Sequence, residues 1–144
     1  MISVLYVDEW SPFLYILSRF LEAKGDVEVE TAFSPLDALQ ILDYISFDVI
    51  VANYNNREWS GIDLLQKTRQ KGIETPFIFF TLEPKSVMEQ EVIPYGRVVF
   101  LPKLQNSCST LYELEKTVQA IVPAFHPETI TPQKGVVHFN TGRV

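Results

Sequence analysis

Cysteine is almost missing from this chain. Cys108 stands alone among 144 residues, so no internal disulfide can form, and a reducing cytoplasm is the expected compartment. Its place near a helix start predicts a small structural residue rather than a reactive thiol. Histidine occurs twice, as His126 and His138, without the spacing of a zinc site. Basic charge is scarce and scattered. Lys and Arg number 12 against 18 Asp and Glu, for a net charge of −6. The absence of a basic run or stripe argues against nucleic acid and against anionic membrane surfaces as partners. No apolar run approaches the roughly 20 residues that span a bilayer. The N-terminus opens straight into a strand pattern, without the basic leader of a secretory signal.

What the chain does have is apolar material, 47% of its residues, enough for one core in one domain. Short, nearly continuous apolar runs at Ile2–Val7, Val49–Val51, Phe77–Phe80 and Val98–Leu101 predict strands buried on both faces, as parallel strands between helices are. A fifth strand, Val27–Thr31, alternates instead and puts Glu28 and Glu30 on one face, the protection expected of a sheet edge. Helical stripes lie between the strands. Ser11-Pro12 opens Phe13, Leu14, Ile16, Leu17, Phe20 and Leu21, and Gly25 closes them. Ser34-Pro35, with Asp37 as a capping-box variant, opens Leu36, Leu39, Ile41, Leu42 and Ile45. Ser60 and Asp63 repeat that cap before Leu64 and Leu65, and Gly72 ends the stripe. A short polar helix is expected between Pro84 and Pro94. A last one carries Leu111, Leu114, Val118 and Ile121, with Ser109 or Thr110 as its cap. Five β-α units in series predict a doubly wound α/β sandwich over residues 1–122. Residues 123–144, with three prolines and two glycines, read as a C-terminal tail or linker.

In such a sheet ligands bind beyond the carboxyl ends of the strands. Asp8 and Glu9 follow the first strand, Asn53 the third, Thr81 the fourth and Lys103 the fifth. Any one of these is an ordinary turn or surface residue. As a set they are complementary: two carboxylates suit a hard cation such as Mg²⁺, and a hydroxyl and an ammonium suit phosphoryl oxygens.

The ordered set Val4–Glu9, Phe47–Asn53, Phe77–Thr81 and Phe100–Lys103 resembles the receiver domains of two-component response regulators, which are CheY-like. The resemblance covers roughly residues 1–122. It implies a flavodoxin-like five-stranded parallel sheet of order 2-1-3-4-5, an order that comes with the family and not from the spacing. It also implies a phosphoacceptor at position 53, an acidic pocket at Asp8 and Glu9, phosphate contacts from Thr81 and Lys103, and an aromatic switch residue at Phe100. The departures fall at that pocket. Asn53 replaces the family's aspartate, and an amide cannot form an acyl phosphate. Glu58 and Asp48, the latter placed inside the third strand, are the nearest acids in sequence. Leu82 follows Thr81 where smaller residues are usual, and Leu104 replaces the proline that usually follows the lysine.

The implied function is a pseudo-receiver: not an enzyme, but a phosphorylation-independent protein-interaction module in cytoplasmic signal transduction. Asn53 is expected to bond Lys103 or Thr81, and Asp8 or Glu9 to pair with Lys103. Mg²⁺ has only weak candidate ligands in Asp8, Glu9 and the Asn55 backbone carbonyl. The expected partner is a protein, whether a sensor kinase, an output domain, another receiver or a second copy. It would dock on the last two β-α units around Tyr95, Arg97, Tyr112, Glu113 and Lys116. Two alternatives stand beside this: a receiver still responsive to Mg²⁺ and a phosphodonor or bound anion, and a flavodoxin-like cofactor-binding enzyme. The segment Asp8–Pro12 lacks the Gly-rich phosphate cradle that the last would need.

Overall fold

Parallel strands β1 (Ile2–Val7), β2 (Val27–Ala32), β3 (Val49–Asn53), β4 (Phe77–Thr81) and β5 (Val98–Pro102) alternate with helices in the computed structural model. The helices are α1 (Ser11–Glu22), α2 (Pro35–Leu42), α3 (Gly61–Gln70), α4 (Lys85–Val92) and α5 (Ser107–Phe125). The structure describes residues 1–9, 11–81, 85–102 and 107–125. The sheet runs β2-β1-β3-β4-β5 with every neighbour parallel, the flavodoxin-like order expected. Each of the last four strands extends one or two residues beyond the run read from the sequence, because ladder pairing continues through Ala32, Ala52, Asn53, Thr81 and Pro102.

Strand residues alternate between two cores, as the two-residue period of a pleated strand requires. Val4, Tyr6, Val49, Val51, Ile78, Phe80, Val99 and Leu101 pack under α1 and α5 through Leu14, Leu17, Leu21, Leu111, Leu114, Val118 and Ile121. Leu5, Val7, Ile50, Ala52, Phe77, Phe79, Val98 and Phe100 face Ala38, Leu64, Leu65 and Val92 on the other side. Each fully buried Leu, Ile or Phe contributes about 1.5–3 kcal/mol, so these two layers carry the fold. Strand β2 is the edge, with Glu28 and Glu30 exposed.

The helix caps follow the sequence closely. Ser34 Oγ accepts from the Asp37 backbone N–H at 3.1 Å, and the Asp63 carboxylate accepts from the Ser60 N–H at 3.2 Å. Gly25 (φ 82°) and Gly72 (φ 80°) take left-handed conformations just after α1 and α3, which only glycine adopts without strain.

Other expectations need correction. Ile16, Leu36 and Ile45, read as core, are about half exposed or more. Helix α2 covers the sheet edge and fully buries only Ala38, while Ile45 lies past its end in the connection to β3. Helix α5 starts at Ser107, so Ser109 and Thr110 lie inside its first turns rather than capping it. It also runs through Pro123 to Phe125, taking up the first residues of the segment read as tail. Pro94 joins a 3-10 turn, Ile93–Tyr95, that continues from α4.

Candidate functional site

Register places the proposed site along one edge. Val7 pairs with Ala52, so Asp8 and Asn53 follow at the same level on adjacent strands. Asn53 lies opposite Phe80 and Thr81 opposite Pro102, which brings the carboxyl ends of β1, β3, β4 and β5 into one row. Lys103, Leu104, Leu82 and Trp10 lie outside the described residues, as does the side chain of Thr81. The tail histidines His126 and His138 also lie outside them.

Several polar groups of that row make local hydrogen bonds among the described residues. The Asn53 Nδ2 donates to the Asn55 carbonyl at 2.8 Å, and the Asn56 Nδ2 donates back to the Asn53 carbonyl at 2.9 Å. The Nδ2 end of this amide thus turns into its own loop, as Asn side chains at turns commonly do, while the Lys103 and Thr81 side chains expected as its partners lie outside the described residues. Glu9 Oε1 accepts from the Arg57 backbone N–H at 2.8 Å, fastening the same loop to the end of β1. Asp8 is buried and its Oδ2 accepts from the Tyr6 hydroxyl at 2.9 Å. Burial foremost, and the adjacent Asp8 charge next, push the Tyr6 phenol well above its ordinary pKa. Asp48 is exposed at the opposite edge, before β3, where it accepts from the Ser3 N–H at 2.9 Å. It is therefore not inside the strand and cannot stand in for an acceptor.

The loop is closed by its own backbone. Asn55 and Ser60 form an antiparallel bridge, Asn56 N–H donates to the Trp59 carbonyl at 3.1 Å, and Gly61 N–H donates to the Tyr54 carbonyl at 2.6 Å. A Cβ on Gly61 would stand 2.5 Å from Phe79 Cε1, so the glycine is required by close approach. Tyr54, buried, lays its ring edge-on against Phe79 and Phe100, with centroids 5.3 and 5.8 Å away. Its N–H donates to the Phe80 carbonyl at 2.8 Å and its hydroxyl to Glu91 Oε1 of α4 at 2.5 Å. Phe100 points inward at 4% exposure, stacked on Phe79 at 5.7 Å.

These residues fit a divalent cation poorly. No group of three His, Cys, Asp or Glu able to hold a metal occurs among the described residues. Mg²⁺ favours carboxylates and a regular octahedron of oxygens. Here Glu9 is committed to Arg57, Asp8 accepts from Tyr6, and an N–H of Asn53 points at the Asn55 carbonyl that a cation would need. Asn56 Oδ1, buried without a hydrogen-bond partner, is a neutral oxygen and adds no charge.

A family model for the response regulator receiver domain matches residues 4–114. The chain belongs to that family. Among solved structures, the chemotaxis response regulator CheY4 of Vibrio cholerae is 30% identical, over 84% of this chain and 98% of its own, with a TM-score of 0.71. A two-component response regulator from Clostridium difficile is 21% identical over 88% of this chain and 99% of its own, with a TM-score of 0.74. A response regulator of Thermotoga maritima, solved with Mg²⁺ and BeF, is 20% identical over 84% of this chain and 99% of its own, with a TM-score of 0.69. The latter two share the fold. This is therefore a CheY-like receiver of two-component signalling, a class of module that works through protein partners such as kinases and output domains.

The expected docking surface divides within this receiver. Tyr112, 60% exposed, lines a groove of about 660 Å³ with Lys24, Asp26, Glu115 and Lys116, beside the end of α1. Tyr95 instead packs against the second core, and Arg97 reaches toward Glu74 at 3.9 Å. Among the described residues no helix is long and apolar enough to cross a membrane.

Sequence reasoning missed Tyr6, Tyr54 and the Arg57 backbone. An aromatic at Tyr6 reads as core, and its core position is real. Only the two-residue offset to Asp8, which puts both side chains on one strand face, was available as a signal.

Proposed function

We propose that this receiver signals without phosphoryl transfer, as a pseudo-receiver whose conformation and partner surface do not depend on an acyl phosphate. The observation that carries the reading is the Asn53 amide at the end of β3, donating into the Asn55 carbonyl at 2.8 Å. The amide replaces a nucleophile with a neutral group and takes up the carbonyl that a cation would share. Glu9, bound to Arg57 N–H, holds the loop in that form. Affinity for Mg²⁺ falls with ligand charge and is expected in the roughly millimolar range. The partner is a protein, and the exposed side of α5 at Tyr112 and Lys116 is its proposed contact.

The test is treatment with acetyl phosphate and Mg²⁺ followed by intact-mass measurement of the native protein and of Asn53→Asp. The expected result is no phosphoryl adduct on the native chain and an adduct on the variant, whose other pocket positions are unaltered. A stoichiometric, hydroxylamine-labile adduct on the native chain would overturn the reading.

A further inference from the structure

We propose that Tyr54 is a coupling strut between the loop 53–61 and helix α4, so that the two rearrange as one unit. The inference goes beyond the pseudo-receiver reading and does not rest on it. It starts from the way α4 is held. That helix has eight residues, Lys85–Val92, and a largely polar sequence. A helix this short is marginal alone in water and depends on tertiary attachment. Among the described side chains, buried Val92 in the second core and Glu91, whose Oε1 accepts from the Tyr54 hydroxyl, attach its C-terminal turn inward.

Tyr54 is in turn fixed on every side. Its N–H is bonded to Phe80 and its carbonyl to Gly61, and its ring is wedged against Phe79 and Phe100. Gly61 leaves no room beside Phe79 for even a methyl group. The ring therefore cannot swing without moving the loop backbone or the two phenylalanines. A displacement of the loop carries the hydroxyl away from Glu91, and a displacement of α4 pulls on Tyr54. Coupling of this kind is reciprocal: whatever grips one end biases the other by the same free energy. A protein that seats on α4 would thereby read the state of the loop that follows β3.

Amide hydrogen exchange of the full chain, without ligand, tests this through two substitutions. Tyr54→Phe keeps the ring and removes the hydroxyl. It is expected to speed exchange across residues 85–92 by about tenfold, the size of one charge-assisted hydrogen bond, with β1 and β3 unaffected. Glu91→Ala lies on the surface and leaves the core intact. It is expected to speed exchange at the Asn56 and Gly61 amides, which are distant in sequence. Alanine is the better helix former, so that response would come from the lost bond rather than from a weaker helix. The double variant is expected to match the single ones. Unchanged exchange in α4 for Tyr54→Phe, unchanged loop amides for Glu91→Ala, or fully additive effects in the double variant would each overturn the proposal.

Discussion

Two tyrosines do chemically different work from the others because burial and a carboxylate act on each together. The Tyr6 phenol is buried beside Asp8, and the Tyr54 phenol is buried against Glu91; both are pushed above their ordinary pKa, burial being the larger cause in each. An acid whose folded pKa exceeds its unfolded value of about 10 keeps its stabilisation fully below that pH. Above it the unfolded chain loses the proton first, so stability falls as pH rises. Urea unfolding from pH 8 to 11 is expected to show constant stability to about pH 9.5. Beyond pH 10 it is expected to lose about 1.4 kcal/mol per pH unit per tyrosine, with the slope reduced in Tyr6→Phe. A second residue-level expectation concerns Gly61. A methyl group there meets Phe79 at 2.5 Å, and overpacking of this kind costs about 1–3 kcal/mol. Gly61→Ala should lower the urea midpoint accordingly, without changing the m-value.

At the scale of elements, the base of the sheet is held by Arg69, in the last turn of α3. Its guanidinium donates to the carbonyls of Tyr95, Ile73, Thr75 and Gly96 at 2.8–3.1 Å and lies 5.4 Å from the Phe77 ring centroid. One side chain thus joins α3, the approach to β4 and the approach to β5. There Gly96 and Arg97 both take positive φ, 71° and 58°. Burial pulls the Arg69 pKa down to about 10; the four carbonyl partners favour the charged form, so the group stays a cation at neutral pH. Arg69→Met keeps much of the apolar stem and strands those carbonyls. A loss of about 2–4 kcal/mol is expected by chemical denaturation, whereas Arg69→Lys should recover only part of it, since an ammonium cannot span the fork. Nothing in the sequence singled Arg69 out: it shares the face of buried Leu65, four residues earlier, but an arginine in the last turn of a helix reads as a surface charge answering the helix dipole. Its acceptors come from segments that only the fold assembles. Element order, by contrast, was readable from apolar runs and Ser/Gly punctuation, since those signals are local. Helix ends were less so: α5 passes through Pro123 because tertiary packing of Ile121 and Val122 against the first core outweighs a local breaker.

For the whole molecule, the sheet brings Asp8, Asn53 and Thr81 to one edge as the spacing implied, and the family match agrees with that layout. What the spacing did not contain was where each polar group turns, since hydrogen-bond direction depends on neighbours such as Arg57 that carry no motif. Exposure is likewise a global property. Tyr15, Ile16 and Tyr112 remain largely exposed although Ile16 stands in an apolar stripe. If α5 presents the partner surface, Tyr112→Ala should weaken partner capture or self-association at least tenfold, the scale of an aromatic interface anchor, while leaving the melting temperature within about 2 °C. Sedimentation velocity over a concentration series and pull-down with purified candidate kinases or output domains would read both arms. Unchanged association would move the contact away from α5.

The strand-like hydrogen bond from Tyr54 N–H to Phe80 has a consequence for chemical ageing. Asparagine decays to aspartate when the next residue's backbone nitrogen attacks the side-chain carbonyl and expels ammonia. At Asn53 that nitrogen is held in the sheet and its residue is wedged between two phenylalanines, while the amide itself is tied to Asn55. The same contacts that shape the loop therefore keep time from converting this position into an acid. A stored preparation should not slowly acquire phosphoryl reactivity it lacked when fresh.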